Sequence, residues 1–123
     1  MKIVYARTNA EFLNKTFGTN YDGWMKCGWN YDESTVVWMV EFDDKVRQGW
    51  RNTIVDRNTV REDYVGKEAD KLPSHRILWG KRRIVVKKER EFGRYIIYGT
   101  YRYDFEKSEN NARVWVKISD EIL

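Results

Sequence analysis

One cysteine, one histidine and one proline are all that the chain holds of three residue types on which much protein chemistry is built. A lone Cys27 forbids an internal disulfide, and Cys27 with His75 cannot complete a Cys/His zinc site. With one proline and no Ser/Gly-rich or Pro-rich tract, nothing marks a linker, so residues 1–123 are expected to form a single domain. No apolar run approaches the roughly 20 residues that span a bilayer, and the start of the chain lacks a signal-peptide core. A reduced, soluble, cytoplasmic protein is the expectation. Enzyme signatures are missing as well: there is no G-x-G-x-x-G, no P-loop and no G-x-S-x-G.

Aromatics are abundant: six Trp, eight Tyr and five Phe in 123 residues. They favour strands and build stacking surfaces and cages. The net charge is only +4, but segment 76–94 carries eight basic residues against Glu89 and Glu91, a local +6. Such a stretch attracts phosphates. On a bare strand edge it would simply discourage aggregation.

Residues 2–6 read as a short strand. Thr8 followed by Glu11 is a capping box, and Gly18 is a helix stop, so the pattern predicts a helix over 9–17. Residues 19–34 are loop-like yet rich in aromatics. In 35–42, Val36, Trp38, Val40 and Phe42 share one face, and Val37 and Met39 make the other apolar. That pattern suits a central strand covered on both sides, with Trp38 in the core. Asp43-Asp44-Lys45 is a turn, and 46–56 is a returning strand with Gly49 as a bulge. Thr59 with Glu62 forms a second capping box, predicting a helical turn to about Tyr64. Residues 76–79 and 82–88 read as a hairpin around Gly80. Residues 94–103 alternate as a strand, and 112–118 form another with Ala112, Val114, Val116 and Ile118 inward and Arg113, Trp115 and Lys117 outward. The fold class is therefore mostly β (α+β): a small antiparallel β-barrel or strongly bent sheet with one or two short helices.

Catalytic candidates are thin. His75 in Pro73-Ser74-His75-Arg76 reads as a surface residue and Cys27 as a partly buried, inert thiol. Asp32 with Asp43-Asp44-Lys45 echoes a nuclease metal site, but the motif follows a strand instead of lying on it. No catalytic residue, metal ligand or cofactor is assigned, and a metal-dependent nuclease is the weaker reading.

Binding features carry more. Gly49-Trp50-Arg51-Asn52 joins a stacking ring, a bidentate cation and an amide suited to a base edge. Trp24 and Trp29 are candidates to wall a cage around a flipped base or a cation. Lys81, Arg82 and Arg83, with Lys87 and Arg94, are the phosphate-binding candidates.

The stretch Gly93-Arg94-Tyr95-Ile96-Ile97-Tyr98-Gly99-Thr100-Tyr101, then Arg113-Val114-Trp115-Val116-Lys117-Ile118-Ser119, resembles the closing hairpin of PUA-like β-barrel modules. That group includes EVE and YTH readers of modified bases, and such modules accompany restriction enzymes in bacteria. The resemblance covers about 30 of the 123 residues. It implies a barrel with an aromatic pocket (Trp29, Trp50, Asn52) and a basic rim (Lys81, Arg82, Arg83) that grips a flipped or single-stranded base. DNA or RNA is then the expected partner, and the chain a non-catalytic reader. The alternative is a small phage-type inhibitor or sponge that blocks a host defence protein or sequesters a nucleotide. Size, aromatics and mixed charge suit that reading too.

Overall fold

The computed structural model describes residues 1–123. The elements run β1 (Lys2–Tyr5), α1 (Asn9–Phe17), β2 (Gly28–Asn30), β3 (Thr35–Val40), β4 (Val46–Arg47), β5 (Trp50–Asp56), β6 (Thr59–Tyr64), β7 (Arg82–Glu89), β8 (Arg94–Tyr103) and β9 (Ala112–Ser119). One sheet holds all nine strands, ordered β2-β3-β7-β8-β9-β6-β5-β4, with β1 added beside β8. Neighbours are antiparallel except β3 and β7, which run parallel. The end strands β2 and β4 do not pair, so the sheet is strongly bent but open.

The helix starts as its sequence dictates. Thr8 is extended, its hydroxyl accepts the Glu11 amide at 3.1 Å, and the Glu11 carboxylate accepts the Arg7 amide at 2.9 Å. Gly18 closes α1 in the left-handed region. Phe12 and Leu13 face the sheet, fully buried against Val37, Met39, Ile84, Val86, Tyr95 and Ile97. The Phe12 and Tyr95 rings stack at 4.7 Å.

The opposite face carries a second core of Trp38, Val40, Val60, Val85, Tyr101, Tyr103 and Trp115. Strand β3 is thus covered on both sides, as its doubly apolar pattern predicts. This second cluster joins β3 to β6, four strand intervals apart, a span of about 19 Å on a flat sheet. The sheet therefore curls around it, and this face is concave. Bulges in the β7–β8 and β8–β9 ladders meet beside Gly99 and sharpen the bend. A side chain at Gly99 would strike the Ser119 carbonyl, so only glycine lets β9 cross so closely.

Several local expectations are corrected. Residues 59–64 are a strand, not a helical turn. The Asp56 carboxylate accepts the Asn58 amide at 2.8 Å, and the resulting tight turn sends Thr59–Tyr64 back antiparallel to β5. Gly49 is no bulge. Arg47 pairs with Trp50, and Gln48 and Gly49 both have positive φ, a two-residue hairpin turn of the twisted type. Residues 75–78 form a 3-10 turn capped by Ser74, not a strand. Within the loop over 19–34, Gly28–Asn30 pairs with β3 as β2. In β9, Val114 is buried as expected, but Trp115 is fully buried as well and Ile118 is exposed. Arg113 and Lys117 lie beside Trp115 because their stems can run over aromatic faces. Cys27 is exposed rather than partly buried.

Candidate nucleic-acid interface

Strand alternation sorts the candidates before any chemistry does. On β5, Trp50 and Asn52 face the concave side, since Asn52 lies directly opposite Glu62 and Trp50 opposite Tyr64. Arg51 lies between them, on the opposite side and exposed. The three residues cannot serve one pocket. Trp50 packs edge-on against Tyr64 at 5.2 Å, with the Arg113 guanidinium 4.9 Å from its ring. The Asn52 side-chain oxygen is buried without a hydrogen-bond partner.

Next to Asn52 and Glu62 sits Arg83. It is not a rim residue. Its guanidinium carbon lies 4.4 Å from the Trp38 ring and 4.1 Å from the Trp115 ring. Its Nη1 is 2.7 Å from Glu62 Oε1, an ion contact without a directed hydrogen bond, and Trp115 Nε1 donates to that same oxygen at 2.9 Å. A charge pair this buried costs desolvation that aromatic packing alone would avoid. The concave core holds it nonetheless.

Arg83 and Trp115 form the floor of a cavity of about 330 Å³ that opens between the β2–β3 turn and the 3-10 turn. Ile77 and Leu78 wall one side, Asp32 and Ser34 another, and Lys81 and Arg82 stand at the mouth. The Asp32 carboxylate accepts the Ser34 amide at 2.8 Å, and this bond chiefly holds its pKa below the usual value. An ionised acceptor therefore borders the cavity at neutral pH. Lys81 Nζ donates to the Glu33 carbonyl at 3.1 Å, while Arg82 has no carboxylate within ion-pair distance. Trp79, 68% exposed, lies on the outer side of this mouth against Phe105. His75, expected as a free surface residue, is half-buried. It stacks on Phe105 at 4.5 Å and shares a 2.9 Å hydrogen bond with the Tyr103 hydroxyl, whose pKa burial raises.

The remaining candidates lie elsewhere. Lys87 and Arg94 both engage Glu89, at 3.5 and 2.5 Å, near the far ends of β7 and β8. The hydrogen bond from Arg94 holds the Glu89 carboxyl below its usual range. Trp29 belongs to a half-buried cluster with Phe17, Tyr21 and Tyr31, its indole N–H donating to the Tyr21 hydroxyl at 2.8 Å. Trp24 is 82% exposed and borders a different cavity beside α1, so the two rings wall no common cage.

Sequence reasoning missed Trp115, Trp79, Ile77 and Leu78 here, and weighed Asp32 only as a metal ligand. Trp79 had a signal: an aromatic ring directly preceding Gly80 and a run of three cations. Trp115 had none, because Val114 and Val116 supply the more obvious apolar pair.

A family model for the SET and RING associated (SRA) domain matches residues 2–123. No curated protein matches. Among solved structures, the chain is similar to the 5-hydroxymethylcytosine-specific restriction enzyme AbaSI, with a TM-score of 0.63 and 20% identity. The likeness covers 96% of this chain and 38% of that one, so the chain spans well under half the length of that enzyme. At this identity the likeness shows the fold, and the fold is the PUA-like, mostly β module that the C-terminal hairpin resembles.

Proposed function

The chain belongs to the SRA family of nucleic-acid-binding modules, and on that premise we propose that it reads a modified cytosine, 5-hydroxymethylcytosine foremost, flipped out of DNA. The observation that carries the reading is one cavity combining three recognition chemistries. The Asp32 carboxylate, ionised at neutral pH, suits the exocyclic amine of cytosine. Ile77 and Leu78 offer an apolar wall for the base, above a floor closed by Arg83 and the buried Trp115. Arg82, free of any carboxylate partner, and Lys81 supply phosphate contacts at the mouth. A volume near 330 Å³ lies within the range of small-ligand sites. Hydroxymethylcytosine as the preferred base is drawn from the specificity stated for AbaSI.

The test is fluorescence anisotropy with duplexes carrying one cytosine, methylcytosine or hydroxymethylcytosine, across a salt series. Binding should weaken with salt and favour the hydroxymethylated duplex at every salt concentration. Equal affinity for all three duplexes would overturn the reader and leave a non-specific binder. Absence of binding at low salt would overturn nucleic-acid recognition altogether.

A further inference from the structure

On the convex side of the sheet, two cavities of about 460 and 830 Å³ share Arg7, Lys88 and Arg90 and so form one basin. No residue lining it lines the concave cavity. Lys88 stands at its floor, half-buried. The Lys88 Nζ donates to Asn9 Oδ1 at 3.1 Å and lies 5.8 Å from the Tyr95 ring, but no carboxylate comes within ion-pair distance. Asn9 is itself 9% exposed and fully committed. Its amide donates to the Met25 and Lys26 carbonyls, both at 3.2 Å, and its oxygen also accepts the Tyr95 hydroxyl at 2.7 Å.

An ammonium is thus partly stripped of water and held by neutral groups alone. Burial, then the neighbouring Arg90, push its pKa down. Such a cation is stabilised by any anion that reaches it. The basin's carboxylates are largely taken: Arg94 and Lys87 hold Glu89, while Lys15 and the Arg7 amide hold Glu11. Asp22 and Glu91 stay in solvent at the margin. Arg7 has no carboxylate partner of its own. Above the floor stands Trp24, 82% exposed, with no aromatic neighbour and no place in either core. An indole left in water on the same basin as a cation with no carboxylate in contact is an arrangement suited to a planar ring that carries a phosphate.

We propose that this basin is a second site, taking a nucleotide phosphate on Lys88 and Arg7 while Trp24 stacks on the adjoining base. The phosphate belongs either to a free nucleotide or to an extruded stretch of DNA, and the two share one chemistry. The inference is independent of the concave cavity and survives if no modified base is read there.

The test titrates the whole protein, by calorimetry, with adenosine monophosphate in one arm and an unmodified single-stranded oligonucleotide in the other. Trp24→Ala should weaken whichever probe binds by at least about fivefold, as expected for one lost stack, with no change in melting temperature. Arg7→Ala and Lys88→Met should weaken it as well, and Val55→Ala, an exposed change in neither cavity, should leave it alone. Binding in the first arm alone names a free nucleotide, and in the second alone a strand. No binding in either arm overturns the site. So does a loss that follows Arg82→Ala while Trp24→Ala binds normally. Trp24→Ala and Arg7→Ala alter exposed side chains, so the outcome does not rest on whether Lys88→Met folds.

Discussion

The two faces of the sheet are built to different rules. On the convex face, α1 presses Phe12 and Leu13 into Val37, Met39, Ile84 and Val86, and every cluster member is apolar or aromatic. On the concave face, a more aromatic core surrounds a buried charge pair, Arg83 and Glu62, with an unpartnered Asn52 oxygen beside it. Packing alone explains the first arrangement. It does not explain the second, because apolar residues of like volume in place of a buried ion pair are often neutral or stabilising. Polar groups retained against that preference lie beside a cavity that Asp32, Arg82 and Arg83 all line. The contrast sets an apolar core under the helix against a core with a buried charge pair on the concave side.

The sharpest way to break this contrast is to truncate each core. Phe12→Ala should cost about 3–5 kcal/mol in chemical denaturation, because the stack on Tyr95 and the helix–sheet seal are lost together. DNA affinity of the protein that remains folded should not change. A loss of affinity in that folded fraction would mean that the faces are coupled.

Glu62→Gln tests the other side. It leaves Arg83 charged between two indoles with no anion, and should cost about 3–5 kcal/mol. Glu62→Gln combined with Arg83→Met should recover much of that stability while losing DNA binding. Full binding by the double variant would remove the pair from recognition.

Asp32→Ala should weaken binding to cytosine-bearing duplexes about tenfold, with the melting temperature almost unmoved, since Asp32 is exposed. An affinity change equal for all bases would show that Asp32 reads no amine.

Arg82→Ala is a smaller effect of a different kind. The slope of log affinity against log salt should fall by about one, with base preference intact.

The smallest effect concerns pH. The Ser34 amide holds the Asp32 carboxyl below its ordinary range, so the acceptor stays ionised on acidification. Its contribution is present above that range and is lost only as pH falls through the lowered value. Affinity measured from about pH 7 to about pH 5 should therefore stay flat on its account. A fall within that window would indicate that a different group titrates.

Where the sequence was read correctly, the signal was local. Thr8, Glu11 and Gly18 specify α1 because each satisfies a helix-end group within one turn of itself. The two apolar sets in β3 specify a doubly covered strand because alternation is built into the backbone. Where the reading failed, a local signal lost to a longer-range one. The Thr59 capping box lost to the Asp56–Asn58 turn and to pairing with β5 and β9. In β9, Trp115 looked outward and Ile118 inward, and the structure has them the other way round. The face was decided by which neighbours could shield Arg113 and Lys117, and those are Trp50 on β5 and Tyr101 on β8.

By itself, the sequence determined a mostly β domain with a capped helix, a central β3 and a basic segment before β8. Each of these follows from propensity, alternation or charge along a few consecutive residues. Only the tertiary structure decided which aromatic rings and cations share a site. Lys81, Arg82 and Arg83 are consecutive, yet two stand at a cavity mouth and the third lies in its floor. Asp32, Ile77 and Trp115 lie far apart in the chain and line the same space. That convergence depends on the curl of the sheet, which arises from twist, bulges and the close crossing at Gly99 summed over many strands. No short window of the chain records such a sum.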